Sequence, residues 1–243
     1  GSIGLPFPYT EVKIMSSATG TELGVDEIGE ICISNPGVSG GETYTEVAKN
    51  ADLFYPGADG KPEYLRTGDL GRKDVDGYLW ITGRAKDLII RGGHNIDPAE
   101  IEEALAGHDA VAFAGAIGQP DEHAGEVPCV YVELVDGADV TEAELLAYAK
   151  QHIHERAAHP KYLEVLDELP KTAVGKTFKP DLRKRAITRV YNAALGDLAA
   201  KVSSVTEDKR RGLVAQVSKT GSVTDEEIGN ALNAYTVPWD SAD

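Results

Sequence analysis

The sequence predicts an α+β protein: a strand-rich opening, then a small domain whose helices pack on a three-stranded sheet, then a ββα extension. Three observations predict it. Period-two alternation marks the first 82 residues, as in Glu11-Val12-Lys13-Ile14 and Glu30-Ile31-Cys32-Ile33-Ser34. Helix-start signatures appear only later, at Asp97-Pro98-Ala99-Glu100, Thr141-Glu142-Ala143-Glu144 and Thr224-Asp225-Glu226-Glu227. Between the first two helices and beyond, apolar runs at 110–117, 127–135 and 162–166 read as strands.

Taken in order, the opening strands are separated by turn signals. Thr19-Gly20-Thr21-Glu22-Leu23-Gly24 reads as one turn, Asn35-Pro36-Gly37 with Ser39-Gly40-Gly41 as a loop, and Asp74-Val75-Asp76-Gly77 as a hairpin turn leading into the strand Tyr78-Leu79-Trp80-Ile81-Thr82. One helix fits this part, at 45–51. After the polar link at 83–86 comes the apolar Leu88-Ile89-Ile90, then a tight turn at Arg91-Gly92-Gly93-His94-Asn95. Asp97 caps the next helix, Pro98 suits its first position, Glu100 completes a capping box, and Ile101 and Leu105 share a face. The helix at Thr141 turns Leu145, Leu146 and Ala149 inward. A last helix of the small domain runs from Pro180 to about Leu195 with Leu182, Ile187 and Val190 apolar. In the extension, 202–205 and 213–217 pair across Lys209-Arg210-Arg211-Gly212, and a helix carries Ile228, Leu232 and Tyr235.

Composition narrows the function classes. The formal net charge is −16, which opposes non-specific nucleic-acid binding. From Lys161 to Arg189, however, eight Lys and Arg face four Asp and Glu, a local +4 that leaves −20 elsewhere. Such an island attracts a polyphosphate or is a solvated helix face. No apolar run approaches the roughly 20 residues that span a bilayer, and the opening Gly1-Ser2-Ile3-Gly4-Leu5-Pro6 has neither basic start nor apolar core of a signal peptide. The two cysteines, Cys32 and Cys129, sit in apolar runs and read as buried reduced thiols, so a cytoplasmic location is expected. No metal site is expected: there is no zinc spacing, and His152 and His154, two apart on a helix, do not converge.

Three blocks carry chemistry: Tyr64-Leu65-Arg66-Thr67-Gly68-Asp69-Leu70, then Gly83-Arg84-Ala85-Lys86-Asp87, then Pro170-Lys171-Thr172-Ala173-Val174-Gly175-Lys176. An acid suits sugar hydroxyls, an arginine suits hydroxyls or phosphate, and a lysine on a flexible stem suits a moving phosphate charge. Gly175-Lys176-Thr177 mimics the end of a phosphate-binding P-loop, but that motif needs glycine at position 170, where proline stands.

In order and spacing these blocks resemble the last third of the adenylate-forming enzymes, which include acyl-CoA synthetases, adenylation domains of peptide synthetases and beetle luciferases. The resemblance covers residues 1–190. It implies that 1–83 are the β-rich end of a large N-terminal adenylation domain, that 84–195 are a mobile C-terminal domain, and that 196–243 are an extension outside the shared pattern. It implies roles as well. Asp69 binds the ATP ribose, Arg84 contacts ribose and phosphate, and Ile81 packs near the nucleotide. Lys86 is the hinge, Gly92 and Gly93 lie beside the pantetheine arm of CoA, and Lys176 is the catalytic lysine of adenylation. Lys161, with His159 the weaker candidate, matches a basic position for the adenosine phosphates of CoA. His94 reads as a solvated loop residue. Trp239-Asp240-Ser241 resembles the Asp-Ser of a carrier protein but lacks the apolar helix that follows one.

The implied activity is that of an ATP-dependent acyl-CoA synthetase acting on fatty or related carboxylic acids, with ATP, Mg2+ and CoA as small-molecule substrates and no nucleic-acid partner. The phosphate loop and acyl pocket would lie upstream, so this segment is expected to be inactive alone. Two alternatives stay open: an adenylation domain loading a carrier protein, and a non-catalytic binding module reusing the small domain.

Overall fold

Backbone pairing divides the chain into two units, 2–87 and 88–242. The computed structural model describes residues 2–38, 43–50 and 52–242; Gly1, the loop residues Ser39-Gly40-Gly41 and the end of the expected 45–51 helix at Ala51 lie outside them.

The first unit is one antiparallel sheet. Its strands are β1 (Ser2–Gly4), β2 (Glu11–Met15), β3 (Gly29–Ser34), β4 (Phe54–Pro56), β5 (Pro62–Lys73) and β6 (Leu79–Arg84), in the order β1-β6-β5-β3-β2 with β4 also on β5. Alternating residues Val12, Ile14 and Ile31 join Leu79 in its core. The β5–β6 turn forms where expected: Gly77 has φ +86, and Asp74 accepts from the N–H groups of Asp76 and Tyr78 and from the indole of Trp80. The expected 45–51 helix is a single 3-10 turn, Val47–Lys49, which buries nothing. A helix this short is not stable without an apolar face to pack.

In the second unit the α+β reading holds with a larger sheet. Strands β7 (Ile89–Arg91) and β8 (His94–Ile96) form a hairpin, α1 spans Pro98–Ala106, and β9 (Val111–Asp121) and β10 (Gly125–Leu134) form a second, longer hairpin. Helix α2 (Glu142–His152) crosses over to β11 (Tyr162–Leu166), parallel to β10. The three expected strands β9, β10 and β11 are therefore there. The first hairpin joins them through Gly125 opposite Arg91, which makes five strands. The helix starts follow their caps. Asp97 accepts from Ala99 N–H, not from Glu100 as a full box would require, while Thr141 and Glu144 close a complete box.

Helix α3 (Lys179–Leu195) serves two cores. Leu182 and Ala186 pack with Ile117, Cys129 and Tyr131 on the sheet and with Leu169 beyond β11. Ile187, Tyr191 and Leu195 pack with the extension, whose strands are β12 (Ala200–Asp208), β13 (Gly212–Lys219) and β14 (Trp239–Ala242), with helix α4 (Asp225–Leu232). The extension is thus ββαβ: β14 runs parallel to β13 at the sheet edge. Its four residues, Trp239-Asp240-Ser241-Ala242, are too short for a period to show.

Candidate functional site

Asp69 stands on a bulge of β5. Between the pairs Cys32–Arg66 and Glu30–Leu70, β3 has one residue and β5 has three, Thr67-Gly68-Asp69. A bulge re-aims a side chain, and Gly68 supplies the positive φ of +74 that this one needs. The bulge is pinned from within the sheet. Thr67 Oγ1 donates to Ile31 O at 2.6 Å and accepts from Asp69 N–H at 3.1 Å. Glu30, 2% exposed, accepts from Gly68 N–H at 3.1 Å through Oε1 and from Arg66 through Oε2 at 2.9–3.0 Å. That hydrogen bond is the main reason the Arg66 guanidinium holds its proton more firmly than usual. Sequence reasoning missed Glu30. Its alternating context marks it as a solvent-facing strand residue, and only the partner strand shows why a carboxylate is buried there.

Arg84, at the end of β6, is the direct cross-strand partner of Asp69. Its Nε donates to Asp69 Oδ1 at 2.7 Å, so the two meet through one nitrogen, not as a fork. Both side chains keep access to solvent, at 31% and 54% exposure. The structure thus brings two expected site residues together as a polar pair able to bind a diol or phosphate. Ile81, on the same strand, is an exposed apolar surface. Lys86 lies in the 3-10 turn Ala85–Asp87 that ends this unit.

In the second unit, Gly92 and Gly93 form the two-residue turn between β7 and β8, with φ of +54 and +88. Positive φ at both positions is what a type I′ hairpin requires, hence two glycines. An added Cβ at either would meet nothing within 4 Å, so the backbone conformation, not crowding, selects glycine, and the turn is open to a ligand. Beside it opens a cavity of about 570 Å3. Arg91, Lys150, Arg156 and Lys161 line it together with His94 and His159, and among the described residues no acid does. Arg91 donates to Ala157 O at 2.6 Å, and a ring nitrogen of His159 lies 3.0 Å from Ile153 O. Lys161 and His159 stood out in the sequence; Arg91, Lys150 and Arg156 did not, because they come from a hairpin, a helix and a 3-10 turn that only folding brings together. His94 faces Glu155 at 3.8 Å.

Lys176 sits on a loop closed at its base by a bridge between Lys171 and Thr177. Thr172 N–H donates to Lys176 O at 2.7 Å, and Lys176 N–H donates to Thr172 Oγ1 at 3.1 Å. Gly175 turns the chain with φ +79. The loop's two lysines differ. Lys171 contacts Glu133 at 3.1 Å and Glu168 at 3.6 Å and lies over the Phe113 ring, so it anchors the base. Lys176 is exposed and forms no ion pair among the described residues. The backbone is therefore fixed while the ammonium is offered outward.

Comparison with known proteins agrees with these blocks. Residues 100–176 match the family described as AMP-binding enzyme C-terminal domain. The chain is 39% identical over 225 residues to a marinolic acid–CoA ligase of Pseudoalteromonas sp. (strain SANK 73390), covering 90% of this chain and 33% of that enzyme. The chain belongs to the adenylate-forming enzymes. It is also 39% identical over 179 residues to a long-chain-fatty-acid–CoA ligase of Bacillus subtilis (strain 168), covering 74% of this chain and 30% of that enzyme. Among solved structures, o-succinylbenzoate CoA synthetase from Bacillus subtilis in complex with its acyl-adenylate intermediate superposes with a TM-score of 0.65 at 37% identity, over 75% of this chain and 35% of that one. ATP-bound MatB from Rhodopseudomonas palustris gives 0.67 at 33%, over the same shares. The chain thus spans about one third of the length of the curated relatives it matches. The marinolic acid–CoA ligase match, at 90% of the chain, reaches into the extension after Leu195.

Proposed function

We propose that this segment works within a longer ATP-dependent acyl-CoA synthetase that activates a fatty or related carboxylic acid. In the first half-reaction a carboxylate oxygen attacks the α-phosphorus of ATP, supplied as its magnesium complex. A P–O bond forms to the acyl group, the bond to the β-phosphate breaks, and pyrophosphate leaves. Asp69 accepts from the ribose hydroxyls, Arg84 donates to ribose or phosphate, and Ile81 gives the nucleotide an apolar neighbour. Lys176 neutralises charge as it shifts from carboxylate to leaving group, a contact that acts in the transition state. In the second half-reaction the CoA thiol, losing its proton to solvent, attacks the acyl carbon. A C–S bond forms and AMP leaves. A swing at Lys86 exchanges Lys176 for the Gly92-Gly93 turn between the two steps.

One observation carries the choice of free CoA over a carrier protein: among the described residues, the cavity beside Gly92 has four cations and no acid on its walls. That suits a compact polyphosphate such as the adenosine end of CoA. The extension, by contrast, folds as a ββαβ unit whose Asp240 is paired with Arg211, so Asp240-Ser241 is part of a strand and not of a carrier-type site. Cys32 and Cys129 are both buried, and burial pushes both thiols up to about 12. Inert thiols of this kind fit a reducing cytoplasm.

The test uses the full-length protein. Isotope exchange between pyrophosphate and ATP is measured with a panel of carboxylic acids, followed by thioester formation with CoA and with phosphopantetheinylated carrier proteins. Acid-dependent exchange and a thioester on CoA are expected. Transfer to a carrier alone would establish the first alternative, and no exchange with any acid would establish a non-catalytic module.

A further inference from the structure

The extension comes close to the turn that holds the Gly92 hairpin in place. That turn joins β9 to β10. Its first residue, Asp121, accepts through Oδ1 from the N–H groups of His123 at 3.0 Å and Ala124 at 2.8 Å. The Ala124 bond is the main reason its carboxyl sits below the usual range. So locked, the turn presents Ala124 O to the N–H of Gly92 at 2.8 Å, and Gly125 pairs with Arg91. Glu126 Oε2 accepts from Ile90 N–H at 3.0 Å. Three consecutive residues thus grip three consecutive residues of the hairpin strand and its turn.

The segment between α4 and β14 approaches the Gly125 end of the same turn, while Glu122 and His123 stay exposed. Thr236 Cγ2 lies 3.8 Å from where a Cβ on Gly125 would stand, with Ile90 O at 3.7 Å on that atom as well. Tyr235 is close enough to Glu122 and Asp121 that, after burial, their charges raise its hydroxyl pKa. The segment is itself tied to α3: Tyr191 OH donates to Val237 O, and the rings of Tyr191 and Tyr235 are 5.2 Å apart.

We propose that residues 235–237 are a strap, anchored on Tyr191, that braces the Asp121–Gly125 turn and so positions Gly92 and Arg91 at the rim of the cationic cavity. The extension then sets how well the second half-reaction takes its thiol substrate and leaves the first untouched. This rests on the reading of that cavity as the CoA site. Asp121, Tyr191 and the strap are positioning groups, since none lines the cavity.

The experiment compares full-length Asp121→Ala, Tyr191→Phe and a chain ended after Ala234 with the unaltered protein. Two quantities are read: pyrophosphate exchange into ATP, and KM and kcat for CoA with supplied acyl-AMP. Asp121→Ala and the shortened chain should raise KM for CoA by about three- to tenfold, on the order of one lost hydrogen bond, with exchange within about twofold. Tyr191→Phe should do the same more weakly, and Asp121→Asn, which keeps an acceptor oxygen, should restore most of the loss. Combining Asp121→Ala with the shortened chain should cost less than the product of the two. An unchanged KM in the two point variants, or exchange falling in step with thioester formation, overturns the strap. If the unaltered protein exchanges pyrophosphate but does not use CoA, the reading of the cavity fails first and the strap with it.

Discussion

Asp69 and Lys176 are held by opposite means. Asp69 sits on a strand bulge whose every neighbour is fixed: Glu30 below, Thr67 beside it, Arg84 across the ladder. Lys176 is the exposed end of a loop whose backbone is closed by Thr172 and whose other lysine, Lys171, takes the acid partners. The difference fits the roles proposed for the two residues. A group that recognises a ribose gains from being pre-set, because no freedom is lost on binding. A cation that follows charge from a carboxylate to a leaving pyrophosphate needs reach and must not be neutralised beforehand.

Substitutions at either residue separate the two means of support. The largest effect is expected at the loop: Lys176→Ala in the full-length enzyme should slow acyl-AMP formation by about 10²–10³, the scale of one lost transition-state donor, measured in single turnovers. Loss below tenfold would mean that the ammonium is not at the reacting phosphate. Next, Asp69→Ala should raise KM for ATP by about ten- to a hundredfold, since it removes charge-assisted hydrogen bonds. Its thermal midpoint should scarcely move, because a half-exposed pair adds under about 1 kcal/mol to folding. A large fall in stability with normal ATP binding would make the pair structural.

Glu30→Gln tests the pinning itself. Arg66 loses a charged acceptor in a nearly dry site, and stability should drop by about 1–3 kcal/mol in urea melts, with KM for ATP rising a few-fold as the bulge loosens. The smallest effect concerns the second unit. Arg185 holds the carboxyl of Glu164 below its usual range. The folded state therefore binds that proton less readily than the unfolded state, so the pair's contribution is present above about pH 4.5 and fades as pH falls through the folded value. Glu164→Gln should be slightly less stable than the unaltered protein at pH 7, by under about 1 kcal/mol. The two should converge once the pH falls below the folded value, and a gap that widens in acid would reverse the sign.

Much of this was legible in the sequence, for identifiable reasons. Strands with one dry face alternate, as Val12 and Ile14 do, and helices announce their starts through Thr141 and Thr224. Asp69, Arg84 and Lys176 stood out as polar residues beside glycines in blocks of fixed order, and their environments suit the roles the resemblance implies. What stayed hidden came from long-range contact. Glu30 looks like any outward strand residue until Arg66 is placed beside it. Arg91, Lys150 and Arg156 converge on one cavity only after β7, α2 and the following turn pack together. The strand β14 is a four-residue run with no period to read, fixed by its pairing to β13.

In the proposed mechanism one ammonium, that of Lys176, serves one half-reaction only. It is tested most directly by supplying Lys176→Ala with preformed acyl-AMP and CoA and timing thioester formation. A rate within about threefold of the unaltered enzyme is expected, since the transition state of that step has no pyrophosphate to neutralise. A loss as large as that in acyl-AMP formation would contradict it.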